Sequence, residues 1–163
     1  MGYTHYWNFT KNPKNIKDGA EKFKTAVELL REGISRLPKE LPNNCWKQKE
    51  NGEWGFVQDG TLPLTLHNGI GEGEPILKDD HVCFNGDAAL GYDHETCSFT
   101  LDDEGYKFNF CKTARKPYDV AVCLALLCFK EAFGDDFSYS SDGDIEHGEE
   151  GWKLAKEIMS EIV

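Results

Sequence analysis

Pro117-Tyr118-Asp119-Val120-Ala121-Val122-Cys123-Leu124-Ala125-Leu126-Leu127-Cys128-Phe129 is the stretch on which the fold turns. From Val120 to Phe129 the run is apolar without interruption, yet it is only half of the roughly 20 residues a bilayer span needs. It predicts a helix buried on every side. Pro117 suits the first helical position, where a missing N–H costs nothing, and Gly134 suits the stop, so the helix is expected from Pro117 to about Phe133.

Working outward, Tyr106 to Cys111 reads as a strand before this helix and Phe137 to Ser140 as a strand after it. A strand, helix and strand of crossover length predict two parallel strands. Beyond them, Glu149 to Ile162 carries Trp152, Ala155, Ile158, Met159 and Ile162 at helical spacing. A third helix is expected from Asp18, its N-cap, to Leu37, with Phe23, Ala26, Val27, Leu30, Ile34 and Leu37 recurring on one side and Pro38 ending it.

Gly2 to Phe9 has the aromatic and Thr residues of a strand, with Tyr3, His5 and Trp7 on one face and Thr4, Tyr6 and Asn8 on the other, both partly buried. Between Leu41 and Gly105 short apolar runs (Trp54 to Val57, Leu62 to Leu66, His81 to Phe84, Cys97 to Leu101) alternate with turn residues, and Asn51-Gly52 predicts a hairpin between two short strands. The expected fold is α+β (mixed α/β): a single domain over residues 1–163, with a mixed, mostly antiparallel sheet packed by about three helices, one central and buried. At 163 residues one core suffices, since it already buries roughly 70% of the unfolded surface.

The opening MGYTHYWNF lacks the basic and long apolar segments of a secretory signal, so a cytoplasmic protein is expected. The six cysteines (Cys45, Cys83, Cys97, Cys111, Cys123, Cys128) fall mostly in apolar stretches, with no CxxC pair or Cys/His box, and read as reduced small hydrophobes. No metal or cofactor is expected. A net charge of −11 repels phosphate backbones, which argues against direct nucleic-acid binding. It leaves room for an acidic surface that imitates phosphate toward a partner protein, or for a surface that is merely solvated.

Against this acidity, Lys112-Thr113-Ala114-Arg115-Lys116-Pro117-Tyr118-Asp119 places three cations between a strand end and a helix start. Helix N-termini and strand ends are common anion sites, so Lys112, Thr113, Arg115, Tyr118 and Asp119 are candidate ligand residues. Lys112 and Arg115 could instead pair with Asp119 or Glu95 and only shape a turn. Asn85-Gly86 with His94 and Glu95 could bring an amide, an imidazole and a carboxylate together, or form only a turn and a strand start. His5, between Tyr3 and Trp7, is either a satisfied core histidine or a base at a stacking site. Gly69 to Pro75 matches no phosphate-loop pattern and reads as a mobile loop, a lid at most. Asp142-Gly143-Asp144 with Glu146, Glu149 and Glu150 lacks EF-hand spacing and reads as a cap and acidic first turn. No Ser-His-Asp or nucleophile-elbow pattern is legible.

The opening Met1-Gly2-Tyr3-Thr4-His5-Tyr6-Trp7, with Phe84-Asn85-Gly86, His94-Glu95-Thr96, Phe110 to Asp119 and Ser141-Asp142-Gly143, resembles a family of phage and prophage proteins to which no activity is assigned. The resemblance spans nearly the whole chain; Cys97 stands where a larger apolar residue is expected. It implies an accessory protein in the cytoplasm of a bacterial host, countering host defence by sequestering a nucleotide signal or blocking a protein.

The leading expectation is therefore a non-catalytic binder of a small anionic, nucleotide-like ligand. Lys112, Arg115 and the helix start would supply charge, Asn85, His94 and Glu95 polar selectivity, and Trp7, Tyr118 or His5 a stacking ring. The alternatives are an acidic inhibitor binding a host protein through Asp135 to Glu150, and a nucleotide-directed hydrolase or transferase with His94 and Glu95 as acid and base. No membrane partner is expected, and monomer and homodimer both remain open.

Overall fold

The computed structural model describes residues 2–146 and 151–163. Eight strands and three α-helices follow in the order β1 (Thr4–Phe9), α1 (Gly19–Ser35), β2 (Glu40–Gln48), β3 (Trp54–Pro63), β4 (Ile76–Lys78), β5 (His81–Phe84), β6 (Cys97–Thr100), β7 (Asn109–Lys112), α2 (Asp119–Phe133), β8 (Phe137–Ser141) and α3 (Gly151–Ile162). The chain is α+β, as expected. Its strands divide into three small antiparallel sheets rather than one: β7-β1-β8, β2-β3 and β4-β5-β6. No helix among the described residues is long and apolar enough to cross a membrane.

β7 and β8 each pair antiparallel with β1, so they run in the same direction, as a strand-helix-strand unit requires, but β1 lies between them. The N-terminal strand thus completes the sheet on which α2 packs. α2 is buried almost all round, as its composition dictates. Its first turn starts at Asp119, two residues after Pro117.

Phe129 of α2 centres an aromatic core: it stacks on Phe99 of β6 (4.1 Å between centroids, 9° between planes) and meets Phe23 of α1 edge to face (5.1 Å, 78°). Trp7 stacks on the other side of Phe99 at 4.8 Å. α1 lies close along α2 because residue 33 is glycine; a Cβ there would stand 2.7 Å from Leu124 Cδ2. The helix begins after Asp18, which takes a left-handed conformation and makes no side-chain cap, contrary to its expected role. It ends at Ser35, short of Leu37. The last helix keeps the expected buried face of Trp152, Ala155 and Ile158, while the expected start at Glu149 lies outside the described residues.

The Asn51-Gly52 turn does make a hairpin, but a much longer one than the apolar runs suggest. Only its base reaches the core, where Leu64 is buried with Leu41 beside it. Further out, cross-strand pairs Asn44 with Gln58, Trp46 with Phe56 and Gln48 with Trp54 form one face of a two-stranded arm.

All six cysteines are free, and Cys97, Cys111, Cys123 and Cys128 are buried. Burial pushes the Cys97 thiol well up and the Cys128 thiol to about 12. A thiol reagent acting on the folded protein is expected to modify Cys45 and Cys83 first, and the buried four only on unfolding, counted by mass spectrometry. Phe129→Ala is expected to cost about 3–5 kcal/mol, read from urea denaturation.

Candidate functional site

The register of β1 sets His5 opposite Cys111 on one side and Ser141 on the other, facing α2. His5 is fully buried, and its ring joins a hydrogen-bonded chain built from four distant segments. Ser141 Oγ accepts from the Gly143 N–H (2.9 Å) and from Trp152 Nε1–H (3.2 Å). Both are obligate donors, and a hydroxyl oxygen has two lone pairs, so the Ser141 proton goes to His5 Nδ1 at 2.8 Å. His5 therefore carries its hydrogen on Nε2 and donates to Asp119 Oδ1 at 2.6 Å. Thr113 Oγ1 donates to the same oxygen at 2.5 Å, and Cys123 Sγ lies 3.7 Å from Asp119 Oδ2.

Sequence reading finds no Ser-His-Asp set, yet Ser141, His5 and Asp119 stand in line. The ring nitrogens are exchanged relative to a hydrolase triad, where Nδ1 faces the carboxylate and Nε2 the serine. Both lone pairs of Ser141 Oγ are also engaged, by the Gly143 and Trp152 N–H groups. His5, Asp119 and Cys123 are, among the described residues, one group whose ligand atoms lie close enough to hold a metal ion. A metal on Nε2 would move the ring hydrogen to Nδ1, aimed at an oxygen with no lone pair to receive it. The cluster reads as a satisfied polar core that fastens β1, α2, β8 and α3 together. Gly143 lies against Tyr3, where a Cβ would stand 1.9 Å from the phenol oxygen.

The other expected residues form a second knot at the end of β7. The Lys112 carbonyl accepts from Glu95 N–H (3.1 Å), His94 Nδ1 (2.7 Å) and, more distantly, the Tyr118 hydroxyl (3.4 Å). The Lys112 N–H donates to Glu95 Oε2 at 3.3 Å. His94 and Glu95 thus cover the free edge of β7 and tie it to the segment before β6. Asn85 is buried at the centre of this region, its amide donating to the His94 carbonyl (2.9 Å) and its oxygen accepting from His94 N–H (3.0 Å) and Gly86 N–H (2.7 Å). Tyr118 donates to the Glu95 carbonyl at 2.6 Å, and burial pushes its phenol well above the ordinary range. The loop expected to be mobile is pinned at Gly69, whose carbonyl accepts from Thr96 Oγ1 (2.6 Å) and Asn85 Nδ2 (3.3 Å).

Two expectations need correcting. Trp7, Tyr118 and His5 are 4%, 0% and 0% exposed, so none offers a ring face to a ligand at the surface. The start of α2 is closed to an outside anion, because Pro117, Tyr118, Asp119 and Val120 are all buried and Asp119 already brings a carboxylate there. Arg115, with Ala114 in a left-handed turn, lays its guanidinium 4.4 Å from the centre of the Tyr3 ring.

Lys112 alone of the expected cations borders an open aromatic surface. On the side of β7-β1-β8 away from α2 lie Tyr6, Phe110 and, just before β7, Phe108. Phe108 and Phe110 are 64% and 47% exposed, with centroids 5.6 Å apart, and Tyr6 is 6.2 Å from Phe108. The Lys112 ammonium sits 6.0 Å from the Phe110 centroid. The alternation Phe108, Phe110, Lys112 around buried Cys111 carried this signal in the sequence.

No family model matches the chain, and neither a curated protein nor a solved structure does.

Asp119→Ala would leave three buried donors without their acceptor, at about 1–3 kcal/mol each. A loss of more than about 3 kcal/mol in chemical denaturation is expected. A loss within experimental error would show that the network does not hold the fold.

Proposed function

We propose that the protein binds a small anionic, nucleotide-like ligand without turning it over, on the outer face of the β7-β1-β8 sheet. What carries this reading is the exposed pair Phe108 and Phe110 with the Lys112 ammonium beside them. A base stacks on aromatic rings whatever its identity, and an adjacent ammonium takes the phosphate. The strand residues sharing this face are Thr4, Tyr6 and Asn8 of β1, Phe110 and Lys112 of β7, and Ser138 and Ser140 of β8. Lys112 is the one charge in that set, although the chain as a whole stands at −11. Asn8, Ser138 and Ser140 add neutral donors and acceptors for a sugar or base edge.

The resemblance to phage and prophage proteins suits such a binder, with removal of a host nucleotide signal as its purpose. The acidic stretch offers less support for an inhibitor of a host protein. Asp136 accepts from Thr10 Oγ1 (2.6 Å), Asp142 accepts from Thr4 N–H (3.0 Å), and residues 147–150 lie outside the described residues. His94 and Glu95 are engaged in holding Lys112, which weakens their reading as an acid and base.

Calorimetric titration with nucleoside phosphates and cyclic nucleotides tests the proposal. Stacking at about 1–3 kcal/mol per base predicts that Phe110→Ala weakens binding by about 5- to 150-fold, with thermal stability unchanged because the ring is half exposed. Lys112→Ala is expected to weaken phosphorylated ligands and spare the nucleoside. Failure of the whole panel to bind, or unchanged affinity in Phe108→Ala/Phe110→Ala, would remove this face from consideration.

A further inference from the structure

The second open aromatic surface lies on the β2-β3 arm, away from the proposed ligand face. Cross-strand partners share a face, so Asn44, Trp46 and Gln48 stand with Gln58, Phe56 and Trp54. The opposite face carries Cys45, Lys47 and Val57, and Lys47 Nζ pairs with Asp59 at 3.3 Å. In the aromatic block, Asn44 to Gln48 against Trp54 to Gln58, the one charge thus falls outside this face; Glu40, on the same side of β2, stands at the base of the arm, where it accepts from Thr61 Oγ1 at 3.0 Å. Trp46, Trp54 and Phe56 are 60%, 62% and 68% exposed, among the largest apolar exposures in the described residues. An isolated two-stranded hairpin is marginal in water, and each strand here is paired on one side only.

We propose that this face binds the same face of a second copy of the chain, about a two-fold axis. Three observations select that occupant. First, two chains of charge −11 repel wherever charged surface meets, and on this face the one charge, Glu40, stands at the base of the arm away from the three rings. Second, a two-fold interface must be complementary to itself. Aromatic rings meet aromatic rings favourably, and Asn and Gln are each donor and acceptor, so this surface meets that condition. Third, an aromatic side chain buries roughly 150–250 Å². Three rings at about 60% exposure therefore offer roughly 270–450 Å² per copy, and the three amides carry the total toward the roughly 800 Å² per partner of a standard interface. A sugar or base would need a flat platform instead, whereas Trp46 and Phe56 meet edge to face at 76°.

Sedimentation equilibrium of the full chain across low to high micromolar concentration tests this. The expected result is a mass approaching twice 18.5 kDa, with association strengthened by added salt as like charge is screened. Trp46→Glu/Phe56→Glu is expected to weaken association at least about thirtyfold, the scale of an interface hot spot, with unchanged circular dichroism. Lys47→Ala, on the opposite face, is expected to leave the mass unchanged and serves as the folded control. A monomer at every concentration, or a dimer indifferent to the double substitution, overturns the proposal. So does a wild-type monomer whose arm binds a soluble glycan or another protein. None of these outcomes depends on Phe110 or Lys112.

Discussion

A histidine with no exposure to water, held between a serine and an aspartate, sets the terms for the rest of this structure. A buried polar group stabilises a fold only when its hydrogen bonds are complete. Completing those of His5 takes Ser141 at the end of β8, Asp119 at the start of α2, Trp152 on α3 and the backbone at Gly143. Its two direct partners, Asp119 and Ser141, lie 114 and 136 residues from His5 in sequence. No local arrangement can satisfy them, so the chain must close its first strand between two late ones.

The inner side of the sheet is filled by α2 and by rings stacked through Trp7, Phe99 and Phe129. Both proposals therefore rest on outer surfaces that depart from the acidic average: the sheet face around Phe108, Phe110 and Lys112, and the aromatic face of the β2-β3 arm. They differ in chemistry. The first sets a cation beside rings, which suits an anionic aromatic ligand; the second has rings and amides only, which suits its own copy.

The parts legible in the sequence are those whose environment is uniform along the chain. α2 is apolar on every side, so Val120 to Phe129 announces it without reference to anything distant. Lys112 is equally legible as a cation at a strand end. The arm is legible only at its Asn51-Gly52 turn and the start of β3, because Glu40 to Gln48 contains a proline and several amides, and its alternation has no core to reflect. Sequence alone points to Trp7, Tyr118 or His5 as a stacking ring rather than to Phe108 and Phe110, since which face of the β7 segment points out depends on pairing with β1. Ser141 escapes notice for the same reason: its partner His5 is 136 residues away, and register alone brings them together.

The most direct test is the tautomer of His5, read from long-range proton–nitrogen correlations in the folded, nitrogen-labelled protein. The hydrogen-bond arrangement predicts a single Nε2–H form, with Nδ1 accepting from Ser141, and a loss of that preference in Ser141→Ala. An Nδ1–H ring, or one whose Nε2 is bound to a metal ion, would contradict it and reopen the buried cluster as a working site.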